Sequence, residues 1–454
     1  AISSASTATP AVEIIGTASN RPGIWLGQGT SNPSYGGTFL VQSSADTGGG
    51  IDFEGSNSSS SSGHKGITLW GQSSGHNGEQ EYQFLSNNGS IQFFSRVDSV
   101  NSEIGIYSDT YLGVRKDTTP VQGISPIPGS NNVITRFSAD TGVYLSHAIR
   151  GGGYIEILPY SSGQSLGINC ESGDFNFYYP TNLSESFGGI AIGDSLKTNG
   201  IVSIESISLN SPTTFNSGTS NISLSEVLSS TNNDITFIVP SNSNNSSLAA
   251  LELGSGSLTK QGTGKLSLTG INTYTGSTNI EQGTLDVLGS LSPSSALSVS
   301  DGAEYSTVTD DIASITGAGS VVLNNSILTV GADNSSSEFS GVISGTGGLT
   351  KLGSGTLTLK GANTFTGNTK INAGILAVSG SLSDSSAIIV SGTYSVLSDD
   401  SVASISGSGE INLNSSRLTT GLDNSNTIFS GRLYGDGGLT KAGTGELTLS
   451  GSHE

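Results

Sequence analysis

Leu258-Thr-Lys-Gln-Gly-Thr-Gly-Lys-Leu-Ser-Leu-Thr-Gly-Ile-Asn-Thr-Tyr-Thr-Gly276 returns at Leu349 as LTKLGSGTLTLKGANTFTG, and begins again at Leu439 as LTKAGTGELTLSG. The three copies start 91 and then 90 residues apart, and 17 of 30 positions are identical between 258–287 and 349–378. Chance does not give that. The likeness runs on beyond the motif: Val308-Thr-Asp-Asp-Ile-Ala-Ser-Ile315 matches Leu397-Ser-Asp-Asp-Ser-Val-Ala-Ser-Ile405 with a one-residue shift. Asp333-Asn334 followed by Phe339-Ser-Gly341 matches Asp423-Asn424 followed by Phe429-Ser-Gly431. A whole unit is therefore duplicated, and a period of this kind signals a repeat architecture.

Within a unit the apolar residues alternate. In Lys265-Leu-Ser-Leu-Thr269 the leucines point one way and the polar residues the other, and Thr284-Leu-Asp-Val287 does the same after Gly283. Such strands are bounded by Gly, Asn or Ser, and no helical periodicity interrupts them. A strand this short buries too little to be stable alone. Stacked at about 4.8 Å per coil, many of them share one continuous core. The expected fold is all-β, with a parallel β-helix (solenoid) in the C-terminal half and a β-rich N-terminal domain. A repeat reads as about four coils, or roughly 19 Å of rod. The expected organisation is an N-terminal domain over 1–188, early coils over 189–257, repeats over 258–348 and 349–438, and the start of a third over 439–454.

Residues 1–188 read differently. They hold Trp25, Trp70, Phe93-Phe94, Tyr154 and Phe175-Asn-Phe-Tyr-Tyr179, together with His64, His76 and His147. Strand-like pieces recur between polar turns, and Asn57-Ser-Ser-Ser-Ser-Ser-Gly63 reads as an exposed loop. A separate all-β domain and a set of irregular early coils carrying insertions both fit. This region is the expected contact-making part.

Composition bounds the function. Of 454 residues, 36 are acidic and 16 basic, for a formal charge of −20. That excludes a nucleic-acid binder, which needs clustered Lys and Arg, and disfavours an anionic membrane surface. Charged residues are only 11% of the chain, so solubility rests on Ser, Thr, Asn and Gly, which suit turns and not helices. The 65 glycines follow no G-x-y period, which excludes collagen. No apolar run approaches the ~20 residues that span a bilayer. There is no methionine and the chain opens Ala1-Ile-Ser-Ser4, which reads as a product of signal-peptide cleavage or an edited sequence. Cys170 is alone, so no intrachain disulfide forms, and a buried apolar thiol is expected.

The pattern L-T-K-x-G-[TS]-G-x-L-x-L-x-G-x-N-T-[YF]-T-G-x-T-x-I-x-x-G-x-L-x-V over 258–287 and 349–378, and in part over 439–451, resembles the autotransporter-associated β-strand repeat. The resemblance implies a right-handed β-helical passenger at the surface of a Gram-negative bacterium. It also implies a C-terminal translocator barrel, which this sequence does not contain. The sequence stops at Glu454 inside the third copy, as a processed or partial product would. The resemblance covers nothing of residues 1–188, and such a rod fixes architecture and not activity.

Several residues have the composition of chemical sites. Asp310-Asp311 and Asp399-Asp400 have the composition of a carboxylate pair or a calcium site. Each, however, holds the equivalent place in its own repeat, which favours a turn built in every copy. Asp333-Asn334 and Asp423-Asn424 suit Asx-turns. Lys260, Lys351 and Lys441 are expected in one column, either as a ligand stripe or, the favoured reading, as cations that neutralise neighbouring carboxylates and discourage edge pairing. His64, His76, His147 and His453 have no metal-ligand spacing, and Gly151-Gly-Gly153 lacks the Lys-Ser/Thr of a phosphate loop. The aromatics of the N-terminal region fit a core better than a sugar-stacking surface. No catalytic, cofactor or metal residue is therefore assigned, and the only metal expected is Ca2+ held loosely at the acidic surface.

The function expected is a non-enzymatic, structural or adhesive surface protein whose partners are a host or neighbouring-cell surface, a glycan or matrix, or further copies of itself joined head to tail through an open β-helix end. Two alternatives stay open: a β-helical polysaccharide-acting enzyme, which predicts convergent Asp, Arg or Lys in a groove, and a phage-type fibre, which predicts a trimer.

Overall fold

A computed structural model describes strands along the whole chain and, from Thr135 onwards with short gaps, the side chains that line them. The side chains of Trp25, Trp70, Phe93, Phe94, His64, His76 and His147, the loop 58–63 and the glycines 152 and 153 lie outside the described residues. The chain forms two compact units, Ala1–Ser243 and Asn244–Glu454.

In the first unit, Ile134–Ala139, Tyr154–Pro159, Gly189–Ile192, Thr213–Asn216 and Ile235–Ile238 pair in parallel, each with the next, to make one face. A second face stacks Gly142–Leu145, Phe175–Tyr178, Gln164–Ile168, Thr198–Ser203 and Ile222–Ser230 in the same sense. The register puts Phe137, Ile157, Ile192, Phe215 and Phe237 in one inward column, and each is fully buried. Phe215 and Phe237 stack with ring centroids 5.1 Å apart, an offset-stacking distance that adds to the ~1.5–3 kcal/mol each ring contributes through burial. Phe175 and Phe177 are buried too, whereas Tyr178 is half-buried and Tyr154 is exposed. Parallel coils run on both sides of Gly189, and of the two readings of the N-terminal region the described residues from Thr135 show irregular coils.

The second unit is a three-faced parallel solenoid. Its first face runs from Leu258–Gln261 through Thr278–Ile280, Leu297–Val299, Ile315–Gly317 and Ser337–Phe339 to Thr356–Leu359 and beyond. The second face begins with Ser246–Glu252, Lys265–Leu268, Thr284–Val287, Glu304–Thr307, Ser320–Leu323 and Val342–Gly345. It continues past Asn363 and Leu382 into Asp400–Ser401, Arg417–Thr420 and Gly438–Lys441. The third carries Asp310–Ile312, Ile327–Val330, Gly348–Lys351, Thr369–Ile371 and Ile388–Val390. The alternation read from sequence is the physical cause. Leu266, Leu285, Tyr305, Val321 and Ile343 stack in register, all fully buried, while their polar neighbours face out.

The repeat and the coil do not have the same period. Five successive pairings carry Leu258 to Leu357, eight residues past its sequence equivalent Leu349. A coil therefore takes about 20 residues, and a repeat spans five coils less one face, about four and two-thirds in place of the four expected. Equivalent residues consequently move round the solenoid by one face per repeat. The segment beginning at Leu258 lies on the first face, that at Leu349 on the third, and that at Leu439 on the second. The single column expected for Lys260, Lys351 and Lys441 does not exist.

Corners explain many of the glycines. Gly319, Gly341, Gly361 and Gly380 follow one another up the stack, and a Cβ on each of the last three would overlap the carbonyl oxygen of the glycine one coil below. Only a residue without a side chain lets backbones approach that closely.

Candidate functional site

Several polar groups that the repeats share lie inside the solenoid. Asp310 and Asp400 are 2% and 5% exposed. They open strands on the third and second faces and are not the turn carboxylates expected from sequence. Asp310 Oδ1 accepts from the backbone N–H of Leu291 at 2.9 Å and of Asp311 at 3.0 Å, and the Tyr305 hydroxyl donates to Oδ2. Asp400 repeats the arrangement with Leu382 N–H at 3.1 Å, Ser401 N–H at 3.0 Å and Tyr394 Oη at 2.8 Å. Each carboxylate thus replaces a strand at a place where the sheet is interrupted, satisfying an amide one coil below. Burial pushes the Asp310 carboxyl up to about 6 against the pull of these donors, and Asp400 shifts in the same direction for the same reason.

Asn272 and Asn363 do similar work. Their Oδ1 atoms accept from the N–H groups of Leu251 and Ile343, both at 3.0 Å, and their Nδ2 atoms donate to Ser290 O at 2.8 Å and Ser381 O at 3.0 Å. Thr278 Oγ1 joins Tyr274 Oη at 2.7 Å and Ser295 Oγ at 3.0 Å. In the next repeat Phe365 replaces Tyr274, while Thr369 and Ser386 keep their contact at 3.0 Å.

Lys260 and Lys351 face inward as well, whereas Lys441 is exposed. Lys260 is fully buried in register with Ile280, and its Nζ donates to the carbonyls of Gln261, Gly262 and Gln282 at 3.0, 2.6 and 3.1 Å. Lys351, 1% exposed, donates to Leu352 O and Gly353 O, and Lys441 to Ala442 O and Gly443 O. The partners are corner carbonyls and not the carboxylates expected. Desolvation brings Lys260 down to about 8 and lowers Lys351. A sequence signal existed: in the alternation of Leu258-Thr-Lys260 the lysine shares its side with a leucine.

Asp333 and Asp423 form Asx-turns, each Oδ1 accepting from the N–H two residues on, in Ser335 and Ser425, at 3.0 Å. Asn334 and Asn424 follow with φ of 61° and 59°, the left-handed region that Asn tolerates. Their Oδ1 atoms accept from Ser354 and Thr444 one coil on, at 3.0 and 2.8 Å. Cys170 is buried, its Sγ 3.5 Å from Val202 O. His453 is exposed. Among the described residues no three His, Cys, Asp or Glu side chains converge as metal ligands, and no helix is long and apolar enough to cross a membrane.

Among the described residues, hollows open on the outside of both units. In the second unit a polar hollow of about 420 Å³ is lined by Asp384, Asp399, Asp400, Ser401 and Arg417 among others. Two of its carboxylates serve the backbone: Asp399 accepts from the Arg417 N–H at 2.7 Å, and Asp400 is the internal strut described above. In the first unit a groove of about 600 Å³ crosses the outer side of the first face. There Glu156, Ala191, Thr214 and Thr236 are in register, and Tyr154 pairs with Gly189. The small residues Gly189 and Ala191 make the floor. Tyr154 is 40% exposed, and its ring lies so close that a Cβ on Gly189 would sit 3.0 Å from it. Glu156 Oε2 accepts from Arg136, at 2.7 Å from Nε and 2.6 Å from Nη2. No residue of this groove stood out in sequence except Tyr154, because the groove forms across coils that share no motif.

The chain's comparisons with known proteins agree with this architecture. The passenger-associated-transport-repeat family matches residues 258–287, 349–378 and 439–453. An adhesin autotransporter (BmaC) of Brucella suis biovar 1 is 31% identical over 214 residues, 44% of this chain but 6% of that protein. An extracellular serine protease of Serratia marcescens is 53% identical over 53 residues, 12% of this chain and 5% of that protein. The chain thus spans only a small fraction of these relatives. No solved structure matches it. The chain thus carries passenger-associated transport repeats on a parallel β-solenoid and is distantly homologous to an autotransporter adhesin.

Proposed function

We propose that this chain is a non-enzymatic, adhesive stretch of a passenger displayed on a Gram-negative cell after signal-peptide cleavage. In this reading the second unit is a right-handed spacer rod, and the first unit makes contact with a host or neighbouring-cell surface, a glycan or matrix. One observation carries the proposal. Asp310, Asp400, Asn272, Asn363, Lys260 and Lys351 are turned inward onto backbone groups, and equivalent positions of the repeats move round the solenoid by a face per repeat. A rod built so repeats no ligand stripe along any side, which suits a spacer. Distant homology to an adhesin supports the same reading.

The test is adhesion of beads coated with the full chain to epithelial cells and to bacterial lawns, against albumin-coated beads. Attachment well above the control is expected. Attachment at the control level would remove the adhesive reading, and release of reducing ends from a polysaccharide panel would replace it with the enzymatic one. Head-to-tail assembly through the backbone edges of end coils is a further form of the proposal. Negative-stain microscopy decides it, since filaments with a subunit-length axial repeat are expected and isolated particles would remove it.

A further inference from the structure

We propose that the groove over Gly189 and Ala191 is a saccharide-binding site that takes a neutral hexose chain; this rests on the adhesive reading and names its ligand class. The floor is one strand, Gly189–Ile192, whose outward side chains are a glycine and an alanine. The strands on either side, Tyr154–Pro159 and Thr213–Asn216, are each one spacing away. The flanking strands thus lie two strand spacings apart, about 10 Å between backbones, with the Tyr154 ring over part of the floor. The volume of about 600 Å³ lies within the range of small-molecule sites.

The walls carry what a sugar needs. Tyr154 offers an exposed aromatic ring lying along the floor, an apolar body with a hydroxyl at its tip, against which the C–H face of a pyranose packs. Glu156 is held in place by Arg136 through Oε2, and its Oε1 has no hydrogen bond among the described residues, so it accepts from sugar hydroxyls in a fixed orientation. Thr214 and Thr236 continue the same outward row with two further hydroxyls, and Asp234 lies at the far wall.

Other ligands fit less well. The floor strand is hydrogen-bonded on both sides, so it presents no backbone edge to which a peptide could add as a strand. A polyanionic glycan would meet Glu156, Asp234 and a chain of net charge −20. A neutral saccharide needs neither a backbone edge nor a positive wall.

The test uses the full chain on an array of neutral gluco-, galacto-, manno- and N-acetylglucosamine oligosaccharides, followed by calorimetric titration of the strongest binder. Tyr154→Ala removes the ring, Ala191→Arg fills the floor, and Thr358→Arg places the same cation on an outward strand position of the second unit. The expected result is binding by the parent chain and by Thr358→Arg, a drop of at least tenfold in Tyr154→Ala, and no binding in Ala191→Arg. Circular dichroism of the three variants should match the parent, because every substituted side chain points outward. Sugar binding that survives both groove variants would move the site elsewhere and leave adhesion intact. Bead adhesion without any array binding would sink the saccharide proposal alone, whereas absence of both would take the adhesive reading with it.

Discussion

The buried aspartates make the solenoid more stable in mild acid than at neutrality, and the size of the effect follows from Asp310. Its carboxyl has an ordinary value of 3.8 and is raised to about 6 in the folded chain. Between those values the folded state holds a proton that the unfolded chain has released. Stability therefore falls as pH rises through this window, and the cost is fully present above it. About two pH units at 1.36 kcal/mol each give roughly 3 kcal/mol as an upper figure for this residue, with Asp400 acting in the same direction. A solenoid opens locally, so the appropriate assay is hydrogen exchange of peptides containing Leu291 and Leu382 between pH 7 and pH 4.5, corrected for intrinsic exchange. Protection should rise on acidification. Lowering pH also relieves self-repulsion in a chain of charge −20, so the double variant Asp310→Asn, Asp400→Asn is the control. Asn keeps an oxygen for the two backbone amides and offers an N–H to the tyrosine oxygen. In that variant the pH dependence should flatten and protection at pH 7 should rise. An equal or steeper dependence in the double variant would refute the assignment.

Asn363→Ala leaves the Ile343 N–H buried without an acceptor and should cost about 2–3 kcal/mol, read as lost exchange protection around 343. Tyr274→Phe should cost under about 1 kcal/mol, since Phe365 fills the equivalent place and Thr278 keeps Ser295; a larger loss in a thermal melt would contradict this. Leu285→Ala opens a void in the inward column of the second face and should cost about 2–5 kcal/mol by denaturant titration. Gly341→Ala sets a methyl against the carbonyl of Gly319 and should abolish protection in the adjoining coils, with near-normal protection a contrary result.

Much of the fold was legible because short alternating strands separated by glycine and asparagine have one economical solution, a stack in which neighbours complete each other's core. The strands at Lys265–Leu268 and Thr284–Val287, their parallel pairing and the Asx-turns at Asp333 and Asp423 all follow from local pattern. The roles of Asp310 and Lys260 did not, because an exposed turn and a buried strut use the same letters. Which one forms depends on whether a coil below presents an unpaired amide or carbonyl. The rotation of the repeats was equally hidden. Residues per coil are set by how tightly the corners close, a property of stacked backbones, while the period in the sequence records only the length that was duplicated. The sequence by itself determined that coils stack and which side of each strand is buried. Tertiary structure alone decided which face each repeat occupies, and that Gly189 and Ala191 leave a groove between larger neighbours. A side chain's neighbours in a solenoid lie about 20 residues away, and no local pattern specifies that register.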